Sequence, residues 1–568
     1  MVKVVGLDTE TIIKDKVHTF YSFQVYSEDF KNMSLFSTNK ADFEKLLREK
    51  THRAWFITFN LSFDAIVISR MLADYDYKIS AFYAGSRLIR LTIRKGSFKW
   101  VVVDLRNIFP NTNLARIGEI LQYEKLEKPD YLGQREPETL EEKAYFKRYA
   151  MRDAEICYKM AKLIQGEFNI IKSTCAGLAM RIFARDYCHC NKFYALKDSF
   201  NDKVRLAYHG GRTECFIRGL THEPLKCYDV NSLYPYVMLN HRYPFVLYAP
   251  EKKLDIDFDR EGITKAVIEC DADFPPIAIK HMCKDGLEKL CFVNGKYLGW
   301  FTNVELKELE QYNCGKVLRV HESYQWKDTA QNPFNPFVTY ITDFYNKKKE
   351  ASMNNSPKRE LYKIMLNSLY GKFGEHGETS FYTCENGVMI NKELGKQRHA
   401  WYHSPIIATY ITAYARLHLW HILKALNPEK VYYCDTDSVW TSQDLSNKVS
   451  EKLGDLKIEH ECDKLDASFF RAKCYMYNNK FVMKGFHITD TWTNLIISIL
   501  NGNLTRIEHR ITKALEAQRT GKQALYDTDI LKTYSLDDDG KRTYLKHLDN
   551  KAILTQNTLS LPLEVKIS

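Results

Sequence analysis

Residues 432–440 read Tyr-Tyr-Cys-Asp-Thr-Asp-Ser-Val-Trp, two carboxylates two positions apart between apolar flanks. Side chains at i and i+2 of a strand face the same way, so a β-hairpin here aims Asp435 and Asp437 at one spot. Clustered carboxylates repel unless a divalent cation lies between them, and Mg²⁺ takes hard oxygen ligands of this kind. An exposed turn is the plainer account, since Asp, Thr and Ser are common turn formers.

Other stretches add to that pair. Tyr-Asp-Val-Asn-Ser-Leu-Tyr-Pro at 228–235 ends an apparent strand with Asp229 and then turns. Asp229 suits a metal pair shared with Asp437, and backbone amides near Asn231–Tyr234 suit phosphate oxygens. A Tyr234 ring under the sugar would exclude a 2′-hydroxyl by its bulk; a core tyrosine before a turn proline is the alternative. Residues 362–371 have a helical pattern in which Lys363, Asn367 and Tyr370 fall at i, i+4 and i+7, one stripe. Ile364, Met365 and Leu369 lie off it. Cation, amide and aromatic suit a triphosphate and a base or sugar, although a solvated helix face carries the same pattern. Lys473 and Tyr475 add a later cation and aromatic.

A separate acidic set lies near the N-terminus. Gly-Leu-Asp-Thr-Glu-Thr at 6–11 places Asp8 and Glu10 on one side of a first strand, and Asn-Leu-Ser-Phe-Asp at 60–64 follows another apolar strand. Tyr149 and Asp153 are i and i+4 on a long helical stretch, hence neighbours. Four carboxylates and a phenol are the inventory of a two-metal phosphodiester hydrolase, with Tyr149 orienting the attacking water. Ordinary surface acids are the other account of Asp64 and Asp153.

Positioning these groups takes several domains, because 568 residues exceed one hydrophobic core. Strand-like runs Val2–Leu7, Ala54–Phe59 and Trp100–Leu105 alternate with helical ones, an α/β pattern. Leu140–Lys172 reads as a long amphipathic helix closing the first unit. A second unit opens near Ala207–Val237, and residues 241–338 look like an inserted subdomain. Pro333–Phe373 reads mostly as helix, Gly371–Lys396 as a loop or hairpin, Ile406–Leu426 as helix, and the tail from Trp492 as helical and basic. Lys and Arg total 82 against 71 Asp and Glu, a net charge of +11 that permits a polyanionic partner without proving one. The 36 Tyr and 31 Phe suit base stacking, although most belong in cores. Fourteen cysteines include no CxxC pair, so no zinc ribbon is readable, and Cys188-His189-Cys190 reads as structural. No signal peptide and no membrane-spanning run is seen, so a soluble protein of a reducing compartment is expected.

The order DxE, NxxFD, YxxxD, YxGG, DxxSLYP, KxxxNSxYG, YCDTDS, KxY, running from Asp8 to Tyr475, resembles family B DNA polymerases. It is similar to the small protein-primed kind of phi-twenty-nine phage type. The resemblance implies α/β and α+β domains: an RNase H-like 3′-to-5′ exonuclease (1–170), then a right-hand polymerase. The latter comprises first palm part (171–240), insertion one for a terminal protein (241–338), fingers (339–373), insertion two for strand displacement and processivity (374–405), second palm part (406–505) and thumb (506–568). It makes Asp8, Glu10, Asp64 and Asp153 the exonuclease metal and catalytic residues, with Tyr149 assisting and Lys128 as an auxiliary lysine. Thr11, Asn60 and Phe63 become single-strand contacts, and Tyr208, Gly210 and Gly211 of Tyr-His-Gly-Gly handle primer-template. Asp229, Val230 and Asp437 become the polymerase metal site with Asp435 supporting, and Tyr234 the sugar gate. Lys363, Asn367, Tyr370 and Lys473 become nucleotide ligands. Thr412 and Arg416 become template contacts, and Tyr475 joins Lys473 at the primer end. Phe59 stands where His is common, and Asp104 precedes Leu105 in place of a clean Ser-Leu.

The cofactor implied is Mg²⁺ in two-metal sites, with Mn²⁺ as a substitute. The partners implied are DNA primer-template, dNTPs and a terminal protein, for a monomer or a heterodimer with that protein. No membrane partner is implied, and the location is cytoplasmic, the host cytoplasm if viral. A nucleic-acid-primed family B enzyme differs by making no covalent nucleotide adduct on a terminal protein. A degenerate DNA-binding scaffold should have lost metal ligands, and all the matched carboxylates are present.

Overall fold

The strand Val4–Lys14 is buried along most of its length because it lies inside a sheet covered on both faces. It pairs parallel with Trp55–Thr58 and antiparallel with Val17–Ser27. The computed structural model describes residues 1–31, 33–49, 51, 53–188, 196–244, 249–327, 335–375, 379–385, 388–392, 402–485, 494, 505–511, 527–533 and 536–566. Nine strands form this sheet, in the order Val388–Lys392, Thr379–Glu385, Lys78–Ala84, Arg87–Lys95, Phe98–Asp104, Trp55–Thr58, Val4–Lys14, Val17–Ser27 and Met33–Ser37. Its first two members are the hairpin expected between 371 and 396, so a late segment completes an early sheet.

The helix Leu140–Phe168 crosses that sheet. Thr139 and Glu142 form a capping box at its start, and Asn169 ends it in the left-handed conformation. Gly6 lets the helix backbone touch the strand: a Cβ there would lie 1.9 Å from the Ala154 carbonyl oxygen. That approach sets Asp153 beside the strand carrying Asp8 and Glu10.

A five-stranded sheet follows, ordered Leu456–Cys462, Leu225–Val230, Ser438–Thr441, Val431–Asp435 and Thr213–Cys215. The helix Pro405–Leu423 is apolar around its whole circumference and correspondingly buried. Helices Val338–Met353 and Lys358–Ser368 pack on one another beside it. One apolar cluster joins Ile156 and Ile164 of the long helix to Phe183, Tyr340, Met365 and Tyr410, so both halves share a core.

A third sheet of eleven strands carries most of residues 251–325. The last strand, Asn557–Val565, enters it between Glu288–Thr302 and Ile217–Leu220. Two glycines permit that insertion. Gly219 (φ 112°) and Gly295 (φ 100°) would place a Cβ 2.1 Å from the Gln556 oxygen and 2.0 Å from the Val565 oxygen.

The helical tail expected from Trp492 is corrected where it is described. Thr505–Ile511 and Asp527–Thr533 are paired antiparallel strands. In the first, Thr505, Ile507, His509 and Ile511 alternate with Arg506, Glu508 and Arg510, the period of two that a strand takes. Trp492 itself lies outside the described residues, as do His189 and Cys190; Cys188 is buried. No described helix is long and apolar enough to cross a membrane.

The backbone contact at Gly6 gives a direct test. Gly6→Ala forces apart two backbones that no rotamer change can separate, so it should destabilise by about 3 kcal/mol or more. A thermal melt should show a large drop in Tm; an unchanged Tm would mean that strand and helix are not in contact.

Candidate active sites

The first acidic cluster sits where strand, helix and loop meet. Asp8 and Glu10 are half-buried, Asp64 is 2% exposed and Asp153 6%. Burial, then the charges of Glu10, Asp153 and Asp64, push the Asp8 carboxyl well up. Burial and then Asp153 raise Glu10 to about 8. Burial raises Asp64 to about 7, against a 2.7 Å hydrogen bond from the Thr9 hydroxyl. Asp153 is raised by burial and pulled back by Lys125.

Side-chain donors also engage Asp8 and Asp153. The Gln24 amide donates to Asp8, and the Lys125 ammonium to Asp153. Lys125 also lies 3.3 Å from the Tyr149 hydroxyl and 4.5 Å over its ring. Tyr149 is 5% exposed, and burial followed by the neighbouring acids keeps its phenol protonated. The lysine beside this cluster is therefore Lys125. Lys128, expected in that place, is exposed and acts on Glu10 only as a more distant charge.

Asp104 explains the absent serine of the Ser-Leu pair. Its carboxylate accepts from the backbone N–H groups of Asn60 (2.9 Å), Leu61 (3.0 Å) and Arg106 (2.8 Å). It ties two strand ends together and holds Asn60 in the left-handed conformation (φ 75°) from which the helix Leu61–Met71, with Asp64, begins. Arg106 reaches the Asn60 side chain at 3.3 Å. Thr11 is 6% exposed and its hydroxyl engages His18 at 2.9 Å, while Phe63 meets the His18 ring edge-on at 5.8 Å. His18 was not legible as part of this group.

The second cluster is built on the five-stranded sheet. Asp229 lies opposite Ser438, and Asp435 pairs with the same Ser438 across the neighbouring ladder. Asp435 ends its strand, whereas Asp437 sits in the two-residue turn after it, with Thr436 left-handed at φ 63°. Three backbone bonds fix the turn: Thr436 N–H to Arg212 O (2.6 Å), Val230 N–H to Asp437 O (2.8 Å) and Asp437 N–H to Asp435 O (2.7 Å). Val230 is buried and apolar, so any part it has in ion binding falls to its backbone.

The three acids differ in their partners. Lys457 pairs with Asp229 at 2.8 Å. Lys473 donates to both oxygens of Asp435 (2.5 and 2.6 Å), which also accepts from Thr213 (3.1 Å). Asp437 has no such cation, and burial, then Asp229 and Asp435, raise it to about 7. Lys473 was expected on the nucleotide; here its ammonium is occupied by Asp435. Tyr475 packs against Tyr433 at 5.0 Å in an aromatic stack.

Tyr234 stacks on Tyr370 at 4.0 Å and 16°. Burial and then the neighbouring ring raise the Tyr234 phenol. Asn231 N–H is taken by Asp455 O. Amides left for a phosphate therefore belong to the first turn of Leu233–Asn240, whose cap Ser232 makes no side-chain bond. Lys363 and Asn367 are exposed on one face of Lys358–Ser368, with Leu361, Tyr362, Met365 and Leu366 buried on the other. Neither makes a hydrogen bond or ion pair among the described residues. Lys348, which the sequence hid inside a run of three lysines, is half-buried beside them. Burial, then the charges of Arg359, Lys363 and Lys457, lower its pKa.

Two expected DNA contacts are corrected. Arg416 is 1% exposed and Thr412 2%, which leaves neither free to meet a template. Arg416 donates to the carbonyls of His209 (2.6 Å) and Gly210 (3.1 Å) and to Glu305 (2.6 Å), so it braces the Tyr-His-Gly-Gly turn from behind. Thr412 donates to Thr409 O. Gly211 serves packing: a Cβ would lie 2.8 Å from Thr436 Cγ2, inside the catalytic turn. Gly210 is exposed and Tyr208 half-buried.

Among the described residues no three acid, histidine or cysteine side chains already converge as a ligand set. The donor chemistry nonetheless fits a divalent cation. Asp153 Oδ1 is buried without a hydrogen-bond partner. Asp8 and Glu10 on one sheet, Asp64 on the helix beside it, and Asp437 in the turn of the other sheet are all driven toward protonation, first by burial and then by neighbouring carboxylates.

Comparison with known proteins agrees with this layout. The family described as DNA polymerase type B, organellar and viral, matches residues 90–415, more than half of the chain. The DNA-directed DNA polymerase of Enterobacteria phage PRD1 is 28% identical over 364 residues, 59% of this chain and 60% of that one. A probable DNA polymerase of Neurospora intermedia is 26% identical over 50% of this chain and 32% of its own. The chain thus spans less than two thirds of these two relatives. The DNA polymerase of Bacillus phage phi29 is 26% identical over 72% of this chain and 71% of its own. In structure, phi29 DNA polymerase complexed with primer-template DNA and incoming nucleotide superposes with a TM-score of 0.75 at 19% identity, covering 94% of this chain and all of that one. The fold is accordingly that of an exonuclease domain joined to a right-hand polymerase. The chain belongs to the type B DNA polymerases of organelles and viruses.

Proposed function

We propose that this chain is a DNA-directed DNA polymerase with a 3′-to-5′ proofreading exonuclease, replicating a linear viral or plasmid genome from a protein primer. The observation that carries the reading is two acid clusters on two different sheets of one chain, only one of them beside the stacked Tyr234–Tyr370 pair. Residues 1–170 then hold the exonuclease and the remainder the polymerase. Residues 241–338 and 374–405 are the two insertions, the first toward a terminal protein and the second toward strand displacement. The working location is the host cytoplasm.

Each residue has a role in that scheme. Asp229 and Asp437 would hold Mg²⁺ at the polymerase site, and Asp8, Glu10, Asp64 and Asp153 at the exonuclease. A divalent cation, when bound, neutralises phosphate charge and activates the attacking oxygen. Lys348 and Lys363 bind the triphosphate of a dNTP. Tyr370 and Tyr234 form the surface on which base and sugar rest, and the Tyr234 ring leaves no room for a 2′-hydroxyl. The primer 3′-hydroxyl, or a terminal-protein hydroxyl, attacks the α-phosphate and pyrophosphate leaves. Lys125, between Asp153 and Tyr149, keeps the exonuclease acids together and hands positive charge to the cleaved strand.

One labelled primer-template in Mg²⁺ tests both sites. The primer should lengthen with dNTPs and shorten without them. Asp437→Ala should lower extension by at least about a hundredfold and leave shortening intact. Loss of both activities from folded protein would count against separate sites. Tyr234→Val should raise ribonucleotide incorporation relative to dNTP by about tenfold or more; unchanged discrimination would remove the gate from that ring.

Proton linkage gives a further check. Glu10, Asp64 and Asp437 have folded pKa values above their unfolded ones, at about 8, 7 and 7. Their contribution to stability is therefore present in acid and is lost as pH rises through those values. Binding of Mg²⁺ must displace those protons. Its apparent affinity should increase from about pH 6 to about pH 8, and calorimetry in two buffers should show net proton release. Affinity independent of pH would mean that these acids do not meet the ion.

A further inference from the structure

Residues 536–566 lie outside both acid clusters, yet they hold the polymerase cluster from behind. The strand Thr213–Cys215 is the edge of the five-stranded sheet and pairs with the strand that ends in Asp435. Its outer side is taken up by the chain end. Lys541 donates to Thr213 O at 3.0 Å, and the Tyr544 hydroxyl to Cys215 O at 2.9 Å.

A buried ion triad completes this contact. Arg542, 5% exposed, donates to Glu214 at 3.2 Å and to the Ser560 hydroxyl at 2.7 Å. Glu214, 1% exposed, accepts from Arg212 at 2.6 Å. Arg212 is fully buried, donates to Pro275 O at 2.9 Å, and lies 4.1 Å over the Phe292 ring. The carbonyl of the same Arg212 accepts the Thr436 N–H that sets the turn carrying Asp437. A second link runs through Asp539, whose carboxylate accepts from Ala472 N–H at 3.0 Å, one residue before Lys473.

We propose that residues 536–566 position the polymerase carboxylates, with Arg542 and Asp539 as positioning residues for nucleotide transfer; this rests on the polymerase reading above. Two guanidiniums on one buried carboxylate are an inefficient way to stabilise a fold, because apolar side chains of equal volume hold as well without desolvating charge. What the triad supplies is direction. The guanidinium fork fixes Glu214, Glu214 fixes Arg212, and Arg212 fixes the turn. Lys473 is held at the other end by Asp539 through its neighbour. Asp435 lies between the two lines of contact, bonded to Thr213 and to Lys473. Asp8 and Glu10 lie on the nine-stranded sheet, with Asp64 and Asp153 on helices packed against it, so their chemistry should not depend on this brace.

The test uses full-length protein carrying Arg542→Met, Arg542→Lys or Asp539→Ala. It measures kcat and KM for single-dNTP addition, primer-template Kd, and single-strand shortening. Arg542→Met leaves Glu214 its Arg212 partner, so it avoids an unpaired buried acid. It should lower kcat for addition by about tenfold or more, because sub-ångström misplacement of reacting groups is costly. KM, Kd and shortening should stay within about twofold of wild type. Arg542→Lys should recover part of the loss, since an ammonium still reaches Glu214. Should Arg542→Met not fold, Asp539→Ala, which removes two backbone hydrogen bonds (from Ala472 and Lys541 N–H) at a half-buried site, carries the same expectation. Wild-type kcat in these variants overturns the proposal, as does a parallel fall in shortening, or a rise in KM or Kd at constant kcat. A wild-type protein that fails to extend any primer overturns the polymerase reading itself, and this proposal with it.

Discussion

Carboxylates that share a site resist burial and resist one another, and both acid clusters are arranged around that conflict. The two solutions are alike. In the first cluster one acid, Asp153, has a lysine, while Asp8 and Glu10 are left to rise toward protonation. In the second, Asp229 and Asp435 each have a lysine, while Asp437 rises. The lysines let the chain fold before any metal arrives. The raised acids keep an appetite for positive charge that the lysines do not satisfy. A cluster neutralised throughout by its own side chains would be more stable and would bind nothing.

Repulsion also means that the acids cannot assemble themselves, so the backbone must. At the first cluster the tight contact is between main chains, and at the second a glycine meets the Thr436 side chain beside a 2.6 Å main-chain bond from Thr436 N–H to Arg212 O. The helix carrying Asp153 meets the strand at Gly6, and the turn carrying Asp437 meets Gly211. Left-handed residues sit at both joints, Asn60 before the helix of Asp64 and Thr436 before Asp437. Such conformations are unfavourable for residues with a Cβ and persist only where surrounding bonds over-determine them. Here the bonds are Asp104 with three amides and Arg212 with the turn.

Spacing made part of this legible. The pair Asp8/Glu10 follows from period two, and Lys363 and Asn367 share an exposed helix face as period 3.6 predicts. Asp437, by contrast, lies in the turn beyond the strand of Asp435, and Tyr370 is half-buried against Tyr234 after that helix ends. What spacing cannot give is the partner of a side chain. A motif says that an arginine stands at 416; the burial of the helix Pro405–Leu423 that carries it, and a carboxylate 111 residues away, decide that it faces inward. The choice between Lys125 and Lys128 turns on which loop residue reaches Asp153, a matter of tertiary approach alone. The strands after residue 505 were misread because Arg506/Arg510 and Ile507/Ile511 also fit an i, i+4 helix spacing, and only the pairing of Thr505–Ile511 with Asp527–Thr533 decides between the two.

The same long-range logic bears on two further segments. Residues 379–392 join the nine-stranded sheet through backbone pairing of Thr379–Cys384 with Ile79–Ala84. Residues 251–325 supply Glu305, the only acid hydrogen-bonded to Arg416 among the described residues. Arg416 in turn holds the carbonyls of His209 and Gly210, next to the glycine on which the Asp437 turn rests. Removing one partner of a buried pair typically costs about 3–5 kcal/mol, because the other charge is left without a counter-ion. A segment that contributes such a partner is therefore part of the active centre's scaffold, whatever else it binds. Its loss would be felt first at the turn that holds Asp437, and only secondarily at any surface it presents to a partner.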